Sequence, residues 1–251
     1  MTTINNCRQS ERGNVLFLIL IAVALFAALS YVVTQSTRSG GGTTEREQNI
    51  LSSAQMTQYP TALRTSIIRM VLGGVPIENV LFDAPSGFAG ISVNRLVFHP
   101  QGGGAVFQAA PSELMSGTAN QQGTWNFNAN YAVRGIGIDG VGGHDLIAFL
   151  PGVSAGVCRQ ANEELGYNLT GCTDLTTGVP NTAIVTTTLN QNIQNVDNGS
   201  IDTVFPAPTS TPINIVGGAG ACSTLFDRQA SGCFYDTTGT RYVFYSVLLE
   251  R

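Results

Sequence analysis

The chain has 251 residues and a formal net charge of −4 at pH 7, and only 11% of its residues are charged. All 12 basic residues are arginines, and they are scattered without forming a basic patch, which argues against nucleic-acid binding. With 43% hydrophobic residues and a small net charge, the composition excludes an intrinsically disordered chain and predicts a folded protein.

A short polar leader, residues 1–13, precedes the longest apolar stretch of the chain. Residues 14–33 contain no charged residue, proline or glycine. A helix of that length spans about 30 Å, the thickness of the hydrocarbon core of a bilayer. Their thirteen Leu, Ile, Phe and Val residues favour membrane insertion by about 4–8 kcal/mol. We therefore predict a transmembrane helix over residues 14–38. A buried core helix and a cleaved secretory signal ending near Ser30 are the alternatives.

The charges that flank the apolar stretch predict its orientation. Arg8 and Arg12 lie shortly before it, whereas Arg38 alone follows it closely. Because arginines near the end of a membrane helix tend to stay in the cytoplasm, we expect the leader to be inside. The remainder of the chain is then expected outside the cytoplasm.

The junction between the leader and the apolar stretch carries a short motif. Ser10-Glu11-Arg12-Gly13, followed directly by an apolar helix, resembles the N-terminus of type IV pilin-like proteins. The resemblance implies that a prepilin peptidase cuts between Gly13 and Asn14. Asn14 stands where these proteins usually have Phe or Met, and Leu18 stands where they usually have Glu. The absence of that Glu resembles the minor, tip-type pilins and the atypical pseudopilin of type II secretion.

The resemblance implies a structural subunit rather than an enzyme. Such a subunit lies in the bacterial inner membrane before assembly. It then packs its apolar helix against copies of itself or other pilin-like subunits in a filament or pseudopilus, with the head at the cell surface. The alternative is a single-pass, signal-anchored cell-envelope binding protein that forms no filament. The apolar helix contains small residues of the kind that let membrane helices pack closely, namely Ala22, Ala24, Ala27 and Ala28.

A glycine-rich joint is expected after the apolar helix. Residues 39–43 include three consecutive glycines, and each glycine lowers helix stability by about 1 kcal/mol. Thr44 and Glu47 then have the spacing of a capping box. We therefore predict that a second helix begins at Thr44 and continues over residues 44–73.

The second helix is predicted to be amphipathic. Pro60 is expected to kink or divide it, and Gly73 with Gly74 to end it. Its apolar residues recur at intervals close to three and four: Ile50, Leu51, Ala54, Ala62, Leu63, Ile67 and Met70. The apolar face is expected to pack on the sheet that follows, with a neighbouring subunit's helix as the alternative partner.

Residues 74–251 have the pattern of short strands separated by turns, which predicts a β-rich head. We predict a helix from Ser154 to Leu165, with Ser154 as its N-cap and Gly166 just after its end. Strands are predicted over 91–98, 105–108, 125–133, 146–150 and 183–189, and a hairpin over 233–249. Helices that precede a mainly antiparallel sheet predict an α+β fold.

Five cysteines are present, and four of them lie on the far side of the apolar stretch. They are Cys158, Cys172, Cys222 and Cys233, whereas Cys7 lies in the leader. An even number in an oxidising compartment predicts two disulfides. Sequential pairing would join Cys158 to Cys172 and Cys222 to Cys233, and the two other connectivities stay open. Free buried thiols and a zinc site are the alternatives, although no C-x-x-C pair is present.

Two motifs have the form of enzyme motifs. Gly152-Val153-Ser154-Ala155-Gly156 is a G-x-S-x-G sequence between a predicted strand and a predicted helix. However, His99 and His144 both precede the serine, whereas the corresponding hydrolases have their histidine after it. Residues 135–145, which contain His144 and Asp145, are rich in glycine, but no Walker lysine follows them. A hairpin loop is the simpler interpretation, and we predict no enzyme.

One turn carries oxygen ligands that could suit a hard cation. Asp197, Asn198 and Asp202 lie around an Asn-Gly turn, and calcium prefers oxygen ligands of this kind. The segment lacks the twelve-residue EF-hand pattern, so a turn between strands is the main interpretation. We predict no cofactor, with these three residues as a weak calcium candidate.

Overall fold

The computed structural model describes residues 14–117, 123–167, 172, 179–182, 195–196, 200–201, 210–216, 220–237 and 239–251. The chain divides into two compact units, Met1–Gln48 and Asn49–Arg251. The first unit is described from Asn14 onward and is helical. The second unit contains the rest of that helix and the β-rich head.

Helix α1 extends over Asn14–Leu72 and contains 59 residues. Its backbone is helical through residues 39–43, where the sequence predicts a joint, so the structure has one helix in place of the two predicted ones. Glycine weakens a helix but keeps its backbone N–H donor, so it need not interrupt the ladder of hydrogen bonds. Pro60 also lies inside α1. Whether the glycines act as a flexible joint stays a prediction.

The part of α1 that lies in the head buries one stripe of side chains. These residues recur every three or four positions: Met56, Tyr59, Leu63, Ile67 and Met70. They belong to one apolar cluster with the sheet residues Phe127 and Phe244, so the predicted packing of this face on the sheet is confirmed. The predicted face was partly wrong, because Ile50 and Leu51 are exposed.

Helix α1 ends as the sequence predicts. The amide of Gly73 donates to the carbonyl of Arg69, and Gly74 has a φ of 92°. A side chain at Gly74 would be strained in this left-handed conformation, which glycine adopts without a penalty. The two glycines therefore end the helix at Leu72.

A six-stranded sheet forms the centre of the head, in the order β3-β7-β8-β2-β1-β6. Its strands are β1 (Asn126–Ala132), β2 (Asp145–Val153), β3 (Asn181–Thr182), β6 (Ile213–Asn214), β7 (Ser231–Asp236) and β8 (Arg241–Leu249). The four long strands pair antiparallel, whereas β3 and β6 add at the edges in parallel. Strands β4 (Asn195–Val196) and β5 (Ser200–Ile201) form a separate two-stranded sheet. The predicted α+β fold with a mainly antiparallel sheet is confirmed.

Both faces of the central strands are buried. Successive residues of β2 alternate between two apolar clusters: Leu146, Ala148 and Leu150 join the cluster that includes α1, and Ile147 and Phe149 join the other. All nine residues of β2 are buried in consequence. A strand covered on both faces has a continuous apolar sequence, which is the pattern that predicted this strand.

The predictions for the remaining helices and strands are partly confirmed and partly wrong. Helix α2 (Ala155–Glu164), strand β1 and the hairpin of β7 and β8 lie where the sequence predicts them. No strand forms over 91–98 or 105–108. Residues 77–114 contain 3-10 helices at Ile77–Asn79, Pro85–Gly87, Val93–Arg95 and Ser112–Leu114. The β pairing of residues 91–98 is limited to an isolated bridge between Leu96 and Leu81. The strand predicted over 183–189 lies outside the described residues.

Candidate functional site

The apolar segment of α1 is the most exposed hydrophobic surface in the described part of the chain. Val15–Gln35 has a mean hydropathy of 2.8, and none of it is buried. Large side chains such as Leu16, Phe17 and Phe26 are 63–76% exposed. A soluble protein rarely exposes a contiguous apolar surface of this kind, so the segment is a candidate interface with a membrane or with other apolar helices.

The segment has the dimensions of a membrane span. Its 21 residues rise about 32 Å as a helix, which matches the hydrocarbon core of a bilayer. The alternative of a buried core helix is wrong, because such a helix would be covered by the protein. The N-terminal apolar helix therefore indicates a membrane anchor or a signal segment.

Polar side chains near the end of this segment are satisfied within the helix. The Thr34 hydroxyl donates to the carbonyl of Ser30 at 2.7 Å, and the Gln35 amide donates to the Tyr31 hydroxyl at 2.9 Å. Hydrogen bonds one turn apart reduce the free energy of transferring these groups into an apolar environment. The helix therefore presents an almost wholly apolar surface up to Gln35.

The head contains two disulfides, as the cysteine count predicts. Cys158 pairs with Cys233 and Cys172 pairs with Cys222, with Cα–Cα distances of 5.4 and 5.3 Å. The sequential pairing was wrong, because the fold packs α2 against β7 and so brings together cysteines 75 residues apart. Disulfides are typical of oxidising compartments, so this head is expected outside the cytoplasm.

Asn162 reinforces the connection between α2 and β7. Its side-chain nitrogen donates to the carbonyl of Cys233, and its side-chain oxygen accepts from the amide of Cys233, both at 2.8 Å. The Asn162 amide thereby replaces the partner that a neighbouring strand would offer to this part of β7. A disulfide and two hydrogen bonds thus join α2 to β7 around Cys233.

The G-x-S-x-G motif has a structural role in the described chain. Ser154 is the N-cap of α2, and its hydroxyl accepts from the amide of Val157. Neither histidine contacts it: the Nδ1 atom of His99 accepts from the amide of Gln101, and His144 contacts Ser210. The motif therefore lacks the histidine partner that a serine nucleophile requires.

His144 lies in the glycine-rich connection between β1 and β2, which the structure confirms as a hairpin loop. Its Nε2 atom lies 3.2 Å from the carbonyl of Ser210 and 2.9 Å from the Ser210 hydroxyl. His144 therefore joins this loop to Ser210. Nδ1 is buried without a hydrogen-bond partner in the described chain.

Asp145 is a fully buried carboxyl group at the start of β2. Its oxygens accept from the backbone amides of Val133 at 2.9 Å and Arg251 at 3.3 Å. Burial raises the pKa of Asp145 to about 6; the two amides oppose this rise, and the negative charges of Glu250 and Asp139 add to it. The sequence prediction grouped Asp145 with His144, but in the structure its carboxyl group joins Val133, the residue after β1, to Arg251.

We expect the free energy of unfolding to fall as the pH rises from about 4 to about 6. The pKa of Asp145 rises from 3.8 to about 6 on folding, so in this interval the folded state holds a proton that the unfolded state has released. Raising the pH therefore favours unfolding, by about 1–3 kcal/mol over the interval. Urea unfolding at several pH values measures this dependence. The Asp145→Asn variant cannot ionise at this position and should lose this pH dependence. If the free energy of unfolding falls equally with pH in both proteins, the raised pKa of Asp145 is contradicted.

The other predicted site residues lie outside the described residues. Gly13 precedes the first of them, and the calcium candidates Asp197, Asn198 and Asp202 fall in gaps. Within the described ranges, no group of three or more His, Cys, Asp or Glu side chains could hold a metal ion. These predictions therefore stay predictions.

Comparison of the chain with protein-family models, curated proteins and solved structures gives no match. The structure also shows residues that sequence reasoning missed. Met56 and Tyr59 belong to the buried stripe of α1, and Tyr59 contacts Trp125 with ring centroids 5.3 Å apart. Their spacing of three and four from Leu63 was the available signal.

Proposed function

We propose that the chain is a pilin-like structural subunit, of the minor or tip type, that assembles into a filament or pseudopilus through its N-terminal helix. The observation that carries the proposal is the exposed apolar segment Val15–Gln35, which directly follows the Gly13–Asn14 motif. Helix α1 contains both this segment and the stripe that packs on a disulfide-bonded sheet. An apolar anchor joined to a folded head outside the cytoplasm is the architecture that such a subunit needs.

The exposed apolar surface favours assembly with other subunits as well as insertion into a membrane. In a bilayer, helix association depends on close packing between small residues, and the segment offers Ala24, Ala27 and Ala28 among larger side chains. Outside the membrane, the same surface would be exposed to water unless other subunits covered it. Covering such a helix with copies of itself or other pilin-like subunits would remove its apolar area from water.

The alternative function is a signal-anchored cell-envelope protein whose head binds a partner and which forms no filament. Leu18 favours this alternative, because the resemblance implies a Glu at this position that contacts a neighbouring subunit. Electron microscopy of material sheared from cells, with antibodies against the head, separates the two functions. Labelled filaments support the subunit, whereas a chain that stays entirely with the membrane supports the alternative.

Replacing Gly13 by leucine is expected to prevent removal of the leader. The resemblance implies a peptidase that requires glycine before the bond it cuts, so a large side chain should reduce processing more than tenfold. Intact mass measures the outcome, because processing removes residues 1–13. Ser10→Ala is the matched control in the leader and should be processed normally. Equal processing of the Gly13→Leu variant and the unaltered chain would contradict the proposed cleavage.

A further inference from the structure

The two disulfides of the head are nested along the chain. The bond between Cys172 and Cys222 lies inside the loop that the bond between Cys158 and Cys233 closes. We call this arrangement the native pairing. The sequential pairing would instead join each cysteine to its nearest neighbour along the chain, as Cys158–Cys172 and Cys222–Cys233. In the native pairing, every cysteine has therefore passed over a nearer partner.

Loop closure favours the sequential pairing while the chain is unfolded. The probability that two residues of a flexible chain meet falls as about the 3/2 power of the number of residues between them. Cys158 therefore meets Cys172, about 14 residues away, about twelvefold more often than it meets Cys233, which is 75 residues away. Cys222 likewise meets Cys233 about tenfold more often than it meets Cys172. Oxidation of an unfolded head therefore gives mainly the sequential pairing.

The order in which the cysteines leave the membrane acts in the same direction. Cys158 and Cys172 precede the other two cysteines, and 50 residues separate Cys172 from Cys222. Chains are synthesised at about 5–20 residues per second, so Cys222 follows about 2–10 s later. Disulfides can form within seconds when an oxidant is present. The first two cysteines therefore have time to pair with each other before their native partners arrive.

The contacts that bring Cys158 and Cys233 together depend on a late part of the chain. Cys158 lies on α2, and Cys233 lies on β7, which pairs with β8. Both cysteines are buried in the apolar cluster, and Asn162 of α2 holds the backbone of Cys233 by two hydrogen bonds. Because all of these contacts need β7, folding cannot direct Cys158 to Cys233 until β7 has emerged.

The head has no thiol of its own with which to correct the sequential pairing. Once that pairing has formed, all four cysteines of the head are in disulfides. Exchange requires a thiolate that attacks a disulfide sulfur. The fifth cysteine, Cys7, lies in the leader before the apolar segment and is expected in the cytoplasm. The attacking thiolate must therefore come from another molecule.

We propose that the head is a substrate of a thiol–disulfide isomerase, which converts the sequential pairing into the native pairing outside the cytoplasm. A disulfide-bearing oxidant forms the first two bonds, and it accepts two electrons and two protons for each bond. The isomerase then acts before the head is fully folded. The proposal depends on the location of the head outside the cytoplasm and is independent of filament formation.

Three exchanges complete the conversion. The isomerase thiolate attacks the Sγ atom of Cys172, breaks its bond to Cys158 and releases Cys158 as a thiolate. That thiolate attacks the Sγ atom of Cys233, forms the native bond and releases Cys222 as a thiolate. The Cys222 thiolate then attacks Cys172 in the mixed disulfide, forms the second native bond and releases the isomerase thiolate. Two disulfides are present before and after, so the conversion needs no oxidant or reductant.

Burial explains why exchange ends at the native pairing. Cys158 and Cys233 are fully buried, so a thiolate from another molecule cannot reach their bond in the folded head. Cys172 is half-buried and Cys222 is 9% exposed. Attack on this second bond can only re-form the same pair, because the other two sulfurs are out of reach.

Oxidation of the full chain in detergent micelles tests the proposal. Every protein carries Cys7→Ser, so that only the thiols of the head react. The reduced chain is diluted from guanidinium chloride into micelles with diamide, which forms disulfides by accepting two electrons and two protons for each. After removal of the diamide, a catalytic amount of reduced protein disulfide isomerase is added to one half of the sample.

The arginines of the head allow the pairing to be read by mass. Trypsin divides the region into the peptides 135–159, 160–228 and 229–241. The middle peptide contains both Cys172 and Cys222, so the native pairing leaves it unlinked to the other two. The sequential pairing and the third possible pairing each link all three peptides into one product.

We expect the three-peptide product in more than half of the chains after diamide. The isomerase should convert it to the native products at least tenfold faster than buffer alone. The proposal is overturned if diamide alone gives the native pairing in more than half of the chains, or if the isomerase leaves the three-peptide product unchanged.

A variant without the two inner cysteines is the matched control. Replacing Cys172 and Cys222 by alanine removes the nearer partners, so Cys158 should pair with Cys233 in diamide alone. The unaltered chain, pulse-labelled in cells, gives a readout that does not depend on this variant. Loss of the extracytoplasmic isomerase should increase the three-peptide product at least fivefold, and an unchanged amount would overturn the proposal.

Discussion

Replacing Ile21 and Leu25 together by arginine is expected to remove the chain from the membrane fraction. Both residues lie near the middle of Val15–Gln35, where each arginine opposes insertion by about 2.5–3.5 kcal/mol. Their sum, about 5–7 kcal/mol, is comparable with the entire 4–8 kcal/mol by which the apolar side chains favour insertion. Resistance to extraction from membranes by alkaline carbonate measures the outcome.

The matched control places the same two charges at the end of the segment. Thr34→Arg with Gln35→Arg adds two arginines where long side chains can reach the aqueous interface, so the chain should stay in the membrane. Both double variants carry the same net charge, so a difference between them reports the depth of the charges. If the Ile21/Leu25 variant stays as resistant to carbonate as the control, the segment does not span a membrane.

Removing the disulfide between Cys158 and Cys233 by replacing both with alanine is expected to lower the free energy of unfolding by about 4 kcal/mol or more. The bond closes a loop of 75 residues, and its loss frees that loop in the unfolded state. Both sulfurs are also fully buried in the apolar cluster between α1 and the sheet, so their removal leaves a cavity. Urea unfolding of the full chain, followed by the fluorescence of Trp125, measures the change.

The second disulfide is the natural comparison. Cys172 and Cys222 close a loop of 50 residues, so the entropic contribution should again be about 4 kcal/mol. Cys222 is 9% exposed and Cys172 is half-buried, so less packing should be lost. We therefore expect the Cys158/Cys233 variant to be the less stable of the two. A loss below about 1 kcal/mol for that variant would show that the bond contributes little to the stability of the head.

The elements that sequence analysis predicted correctly are those whose determinants lie close together in the chain. The apolar segment, the N-cap Ser154, the glycines that end α1 and the terminal hairpin each depend on a few neighbouring residues. Strand β2 was also found, because burial on both faces leaves a continuous apolar sequence. A pattern of neighbouring residues of this kind gives the same local structure in most folds.

The elements that sequence analysis missed depend on contacts between distant residues. The pairing of Cys158 with Cys233 results from the packing of α2 on β7, which no spacing of cysteines reveals. Residues 91–98 alternate like a strand, but there they form a 3-10 helix and one bridge, because pairing with Leu81 satisfies only a short stretch. The contact between Tyr59 and Trp125 was missed for the same reason, since the two rings meet only through the tertiary fold.

The central claim is that the apolar helix belongs to a pilin-like subunit. The identity of the first residue of the mature chain tests this claim most directly. Chains recovered from sheared surface material, or from membranes where no filaments form, can be analysed by intact mass and N-terminal sequencing. We predict a mature chain that begins at Asn14, after removal of residues 1–13. A chain that begins at Met1, or at Tyr31 after a secretory cleavage, would contradict the claim.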